Sequence, residues 1–193
     1  MNLTETIYGV LFSPAATLKV LSQNKSWLAG IIIFLVVMSF NMMVNRGIAF
    51  IDPLEQALAI PGGLTWIGAV IGVILSVIML FVMAGIYSLL GEIIYQNANA
   101  SGLLTSLSFS SIPGILGPPL QYIAILLGLA PLSNLISFVI AIWLIVLQII
   151  AIRESLELTT SQALVLFIIP IITTIILIGG IVVGVISLLP FYK

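Results

Sequence analysis

Residues 64–90 read LTWIGAVIGVILSVIMLFVMAGIYSLL, 27 positions without a single Asp, Glu, Lys or Arg. A charge at the centre of a bilayer costs roughly 3 kcal/mol, while each Leu, Ile, Phe or Val there gains about 0.5 kcal/mol. About 20 apolar residues in a helix suffice to cross the hydrocarbon layer. This stretch therefore reads as a transmembrane helix. Outward from it, the same pattern repeats. The chain has five basic and six acidic side chains, and they fall in short windows. Glu5, Lys19 and Lys25 lie near the start; Arg46, Asp52 and Glu55 lie together. Glu92 stands alone, Arg153, Glu154 and Glu157 form the next group, and Lys193 ends the sequence. Long charge-free stretches punctuated by small charged clusters define a polytopic membrane protein, an all-α bundle of transmembrane helices.

Five segments qualify as spans, at about 27–44, 64–90, 109–127, 132–152 and 162–189. Gly128-Leu129-Ala130-Pro131 breaks what would otherwise be one run near twice a bilayer thickness, so the third and fourth spans form a hairpin. An odd number of spans puts the termini on opposite sides. With the N-terminus inside, Lys19, Lys25 and Arg153 are cytoplasmic and Arg46 and Lys193 are not, which sets the expected orientation by the positive-inside rule.

Residues 1–26 are expected to form an amphipathic interfacial segment. Ser13-Pro14 is an N-cap followed by proline at the first helical position; Leu18 and Leu21 face one way, with Thr17 and Lys19 on other faces. A second surface helix is expected at Asp52-Pro53-Leu54-Glu55, capped by Asp52 and stopped at Pro61-Gly62-Gly63. Both also read as plain connecting helices.

Composition narrows the function classes. Hydrophobic residues make up 62% of 193 positions and mean hydropathy is +1.37, too apolar for a soluble domain. A net charge of −1 leaves no basic footprint for nucleic acid. With no cysteine and no histidine, there is no thiol chemistry and no common zinc ligand. No carboxylate pair lies within the apolar segments, so neither an intramembrane enzyme nor a cofactor is expected. The first apolar run ends in Asn41-Met42-Met43-Val44-Asn45, without the small-residue pattern of a signal-peptide cleavage site. Asn2, Asn24 and Asn99 open glycosylation triplets, which arise often by chance.

The third span carries the least ordinary stretch, Ile112-Pro113-Gly114-Ile115-Leu116-Gly117-Pro118-Pro119. Prolines remove backbone donors and clash with carbonyls one turn back, and backbone groups so freed cannot face lipid. The segment must lie among the other spans or beside a water-filled cavity. Ser110, Ser111, Pro113, Gly114, Gly117, Pro118 and Pro119 thus form either a broken helix lining a site or a kink satisfied by Ser106, Ser108, Ser110 and Ser111. Gly68-x-x-x-Gly72 and Gly180-x-x-x-Gly184 allow close helix approach, within the chain between the second and fifth spans or between copies. Glu92, after Gly91, is a candidate interface acid; an edge acid with a structural role is the alternative. Arg153-Glu154-x-x-Glu157 reads as a solvated boundary that can form helix-spaced pairs.

Several of these features together resemble the Ypt-interacting-protein (Yip) domain family of five-span membrane proteins. Leu11-Phe12-Ser13-Pro14 with Leu18 and Leu21 is similar to its amphipathic entry. Phe109-Ser110-Ser111-Ile112-Pro113 resembles its aromatic-Ser-x-x-Pro step. Trp143 through Ile152, then Leu158 through Leu164, resembles its fourth span and the link to the fifth. Eukaryotic relatives act in vesicle traffic at Golgi and endoplasmic-reticulum membranes, bind prenylated Rab GTPases and oligomerise. They do so with a long hydrophilic N-terminal region bearing a Tyr-Gly-Pro motif, where this chain has Phe12-Ser13-Pro14. The resemblance is therefore to compact prokaryotic-type members, and Rab-type GTPase binding is not carried over. It implies a non-enzymatic scaffold in a prokaryotic plasma membrane, with an organellar membrane as the alternative. The expected partners are membrane lipids, other membrane proteins or a second copy. The rival is a small transporter or lipid-handling protein using the broken third span, favoured by a polar cavity reaching Pro113–Pro119 where a dry bundle favours the scaffold.

Overall fold

A chain that crosses hydrocarbon must satisfy every backbone N–H and C=O within itself, which selects helices for apolar runs of this length. The computed structural model describes residues 2–24, 26–51 and 64–188. They form α1 (Leu3–Phe12), α2 (Pro14–Asn24), α3 (Trp27–Ile51), α4 (Leu64–Tyr95) and α5 (Ala100–Ser110). A 3₁₀ turn (Ile112–Leu116) then leads to α6 (Gly117–Leu126), α7 (Ala130–Ser155) and α8 (Thr160–Leu188). Five stretches are long and apolar enough to span a membrane: Trp27–Ile48, Trp66–Tyr95, Ala100–Leu126, Pro131–Ser155 and Thr160–Gly184. The surface helix expected at Asp52–Glu55 and the terminal Lys193 lie outside the described residues.

The third span starts at Ala100, well ahead of Phe109. Residues 100–108 look polar, but two of their hydroxyls turn back onto their own helix: Thr105 donates to the Ser101 carbonyl at 2.8 Å and Ser108 to that of Leu104 at 2.6 Å. Asn99 fixes the start, its side chain accepting from the Gly102 N–H at 3.0 Å and donating to the Ser155 carbonyl at 3.1 Å. The helix of the first span, α3, likewise continues past Val44 to Ile51, carrying Arg46, whose guanidinium lies 3.5 Å over the Trp66 ring.

The N-terminal segment is a packed part of the bundle. At the start of α1 the Asn2 N–H donates to Glu5 Oε2 at 3.0 Å. The Ser13 N–H closes the helix on the Gly9 carbonyl, at 2.8 Å. In α2 the buried residues are Thr17, Leu18, Leu21 and Ser22, one helical stripe. Thr17 therefore shares the inward face, against the expectation that it points elsewhere. This stripe packs on α5 and α7, and Ser106 Oγ donates to the Leu18 carbonyl at 3.2 Å. The early start of α5 is what extends a groove far enough to receive α2.

The core sits towards one end of the bundle. Leu18, Leu103, Leu147, Ile152 and Leu166 are at most 1% exposed. They come from α2, the first part of α5, the last part of α7 and the first part of α8, which antiparallel threading brings to one level. The opposite halves of α4 and α8 are largely exposed. The third span is the axis: 44% of its apolar stretch is buried, against 6–22% for the other four.

Candidate functional site

The broken segment follows directly from where its prolines stand. Pro113 falls in the first turn of the 3₁₀ element and Pro118 in the first turn of α6, positions whose N–H has no intrahelical partner in any case. The chain bridges the break with short-range bonds: Ser111 N–H to the Ser108 carbonyl (3.2 Å) and Gly114 N–H to that of Ser111 (2.9 Å). Hydroxyls add to this. Ser110 donates to the Leu107 carbonyl at 2.8 Å and Ser111 to that of Ser108 at 2.6 Å. Tilted carbonyls at a helix end are thereby satisfied inside the protein.

The residues expected at the break do not gather around one pocket. Ser110, Pro113 and Pro118 are buried packing groups. Gly117 is closed in by Gln121 and Ile140: a Cβ there would meet them at 3.5 and 3.6 Å. Pro119 borders a separate, wholly apolar groove with Phe40, Val44 and Tyr122. Only Ser111 and Gly114 reach the cavity in the interior of the bundle.

That cavity has a volume of about 260 Å³ and lies between α3, α4, the third span and α7. Its polar lining is Asn41, Ser76, Tyr87, Ser111 and Gln148; much of the rest is Phe34, Met38, Met79, Leu80 and Met83. Each polar group lies seven or more residues from the nearer end of its span, about 10 Å in at the helical rise. The site is thus at membrane depth. Met79, 55% exposed, stands at its rim, so the cavity opens on the flank of the bundle. Asn41 Oδ1 is buried and has no hydrogen-bond partner among the described residues. Gly114 lies beside the amide: a Cβ built there would be in ordinary contact with Asn41 Nδ2, at 3.9 Å. Sequence reading missed Asn41, Tyr87 and Gln148, since a lone polar residue in an apolar helix does not reveal which way it faces. Three separated spans converge here only in the fold.

The glycine pairs behave differently from expectation. Nothing among the described residues comes within 4 Å of a Cβ built at Gly68, Gly72, Gly180 or Gly184, so the second and fifth spans do not meet through them. Close approach occurs at other glycines. A Cβ on Gly30 would lie 3.2 Å from Thr105 Cα and Ser108, and one on Gly102 would lie 2.7 Å from the Ser22 carbonyl. A Cβ on Gly91 would lie 2.6 Å from the Asn97 carbonyl. Glu92 is exposed at the end of α4. Arg153 pairs with its neighbour Glu154 (2.6 Å) and reaches Thr160 Oγ1 at 3.2 Å, which replaces the helix-spaced pairing. Among the described residues no cluster of acidic side chains could hold a metal ion.

An all-helical bundle with five membrane-length apolar helices, folded around a proline-broken third span, defines a multi-pass integral membrane protein. The Yip1 domain matches residues 8–183, and the chain belongs to the Yip1 domain family. No curated protein and no solved structure matches the sequence.

Proposed function

We propose that this protein is a non-enzymatic organiser of membrane partners, engaging them laterally through its last span. One observation supports this above others: from Ile171 to Val183 every residue of α8 is exposed, on all faces of the helix. Among the residues of α8 whose burial is described, only Ala163 and Leu166, in its first turns, are buried in the bundle. Membrane helices associate through packing and small residues rather than hydrophobic force, and a span that lends its whole circumference is available to a neighbouring helix. The partners in this reading are a second copy or another membrane protein, with lipid filling the remainder. The setting is a prokaryotic plasma membrane with the N-terminus in the cytoplasm, a Golgi or endoplasmic-reticulum membrane being the alternative.

Co-purification from native membrane tests this reading. A second copy or a defined membrane protein should accompany the chain. Its recovery should fall when Thr174→Trp and Ile178→Trp roughen the exposed helix. Recovery of the chain alone, with lipid only, contradicts it.

A second reading, handling of a lipid or other small amphiphile, is favoured by the flank cavity and its unpartnered Asn41.

A further inference from the structure

The α1–α2 pair lies deeper than a helix resting on the membrane surface would. α2 runs antiparallel to α5: a Cβ on Gly102 would lie 2.7 Å from the Ser22 carbonyl, and Ser106 Oγ meets the Leu18 carbonyl one turn further in, at 3.2 Å. The same register carries Pro14 to the level of Ser110. α1 folds back beside α2, so close that a Cβ on Gly9 would collide with Thr17 Oγ1, and it also packs on the 3₁₀ turn at Ile112–Leu116. Asn99 bonds the Ser155 carbonyl, which by antiparallel register sets the Arg153–Glu154 ion pair level with Ser101. Ser110 then lies about 14 Å deeper at 1.5 Å per residue, where half the hydrocarbon layer is about 15 Å. The tip of the hairpin is thus well inside one leaflet.

Its residues suit that depth. No Asp, Glu, Lys or Arg lies between Glu5 and Lys19, and both of these stand nearer the open end, where a lysine can snorkel to the interface. At the turn the Ser13 N–H bonds the Gly9 carbonyl at 2.8 Å. The Thr17 N–H and hydroxyl bond that of Ser13 at 3.2 and 3.1 Å, while Pro14 has no donor to satisfy. On the outer edge Tyr8 and Phe12 are 64% and 69% exposed, with ring centroids 4.6 Å apart. Leu116, on the 3₁₀ turn that α1 packs against, is exposed as well. An aromatic edge of this kind is unfavourable in water and at home among acyl chains.

We propose that α1 and α2 form a re-entrant hairpin seated in one leaflet, its tip beside the proline break of the third span and its Tyr8–Phe12 edge in contact with lipid acyl chains.

Spin labels on single cysteines test this, with the whole chain in phosphatidylcholine vesicles. Phe12→Cys and Tyr8→Cys report on the edge and Gln23→Cys on the open end. Ile142→Cys, exposed midway along α7, reports on a lipid-facing span. Collision with a water-soluble nickel chelate should fall severalfold from Gln23 to Phe12, while collision with oxygen, which concentrates in hydrocarbon, should match that at Ile142. Tyr8 should follow Phe12, and gives an independent reading if the Phe12 variant fails to fold. Nickel collision as frequent at both edge positions as at Gln23 leaves the helix pair in water and overturns the proposal. Rare collision with both reagents at the edge shows a second copy covering it and overturns lipid as the occupant.

Discussion

Among the described residues three hold left-handed backbone at helix ends, Gln96, Gly128 and Glu157, and the last two differ in how they can be recognised. Gly128, with φ of +71°, closes α6: its N–H bonds the Ile125 carbonyl and that of Leu129 the Ala124 carbonyl, both at 2.9 Å. This is the glycine-terminated helix end whose chemistry is local, so the break at Gly128–Pro131 is legible in sequence. Glu157 does the same service after α7 with φ of +53°, and Leu158 N–H bonds the Arg153 carbonyl at 2.9 Å. Nothing in the residue type announces it, because glutamate pays for this conformation in steric strain of about 1 kcal/mol. Glu157→Gly should therefore raise stability in detergent by about 1 kcal/mol, and Gly128→Ala should lower it by a similar amount. Equal melting of Glu157→Gly and the parent would show that the strain is relieved elsewhere. Asn41 marks the limit of the residue scale: its type is plain in the sequence, but its missing partner exists only once four elements enclose it.

At the scale of elements, membrane-length runs were legible because burial of apolar surface in lipid depends on length and composition alone. Which faces meet was not. The small-xxx-small spacing at Gly68, Gly72, Gly180 and Gly184 describes a surface that permits approach, but among the described residues no atom comes within 4 Å of a Cβ built at any of the four. The close seams are between α3 and α5 at Gly30 and between α2 and α5 at Gly102. Both lie on the third span because its serines and threonines are small and bond internally. Gly102→Leu should cost about 2 kcal/mol or more by overpacking against the Ser22 carbonyl. Gly72→Leu, with open space around it, should stay within about 0.5 kcal/mol of the parent. Thermal unfolding in detergent checks the pair, and the opposite ranking would place the seam at α4. The start of α5 escaped the sequence for a related reason: a run of hydroxyls reads as a loop until Thr105 and Ser108 are seen to bond the turn before them and Ser106 the Leu18 carbonyl of α2.

For the whole molecule, five spans put the two ends on opposite sides of the membrane, and the basic residues favour a cytoplasmic N-terminus. The cysteine-free chain suits single-site labelling in intact cells. Gln23→Cys, exposed at the end of α2, should be protected from an impermeant thiol reagent, while Tyr192→Cys should react. Labelling of both from outside contradicts the odd number of spans, and reversed labelling contradicts only the orientation. The five spans and the need to shelter the broken helix were readable beforehand, because both follow from the cost of polar groups in lipid. The gathering of the core towards one end was not, since it depends on α1 and α2 docking between spans distant in sequence.

That one-ended core leaves residues 171–183 of α8 exposed, and the proposal that they receive a neighbour is the central claim. Single cysteines along α8 test it in native membranes under mild oxidation. Ala163→Cys and Leu166→Cys, buried within the chain, should yield monomer only. Cysteines placed in turn at Thr174, Leu177 and Ile181, exposed on the projecting length, should yield a disulfide-linked dimer at one or more sites if the partner is a second copy, or a mixed disulfide of defined mass with another membrane protein. Monomer at all three of these positions, in membranes where the chain is abundant, would contradict lateral organisation through the last span.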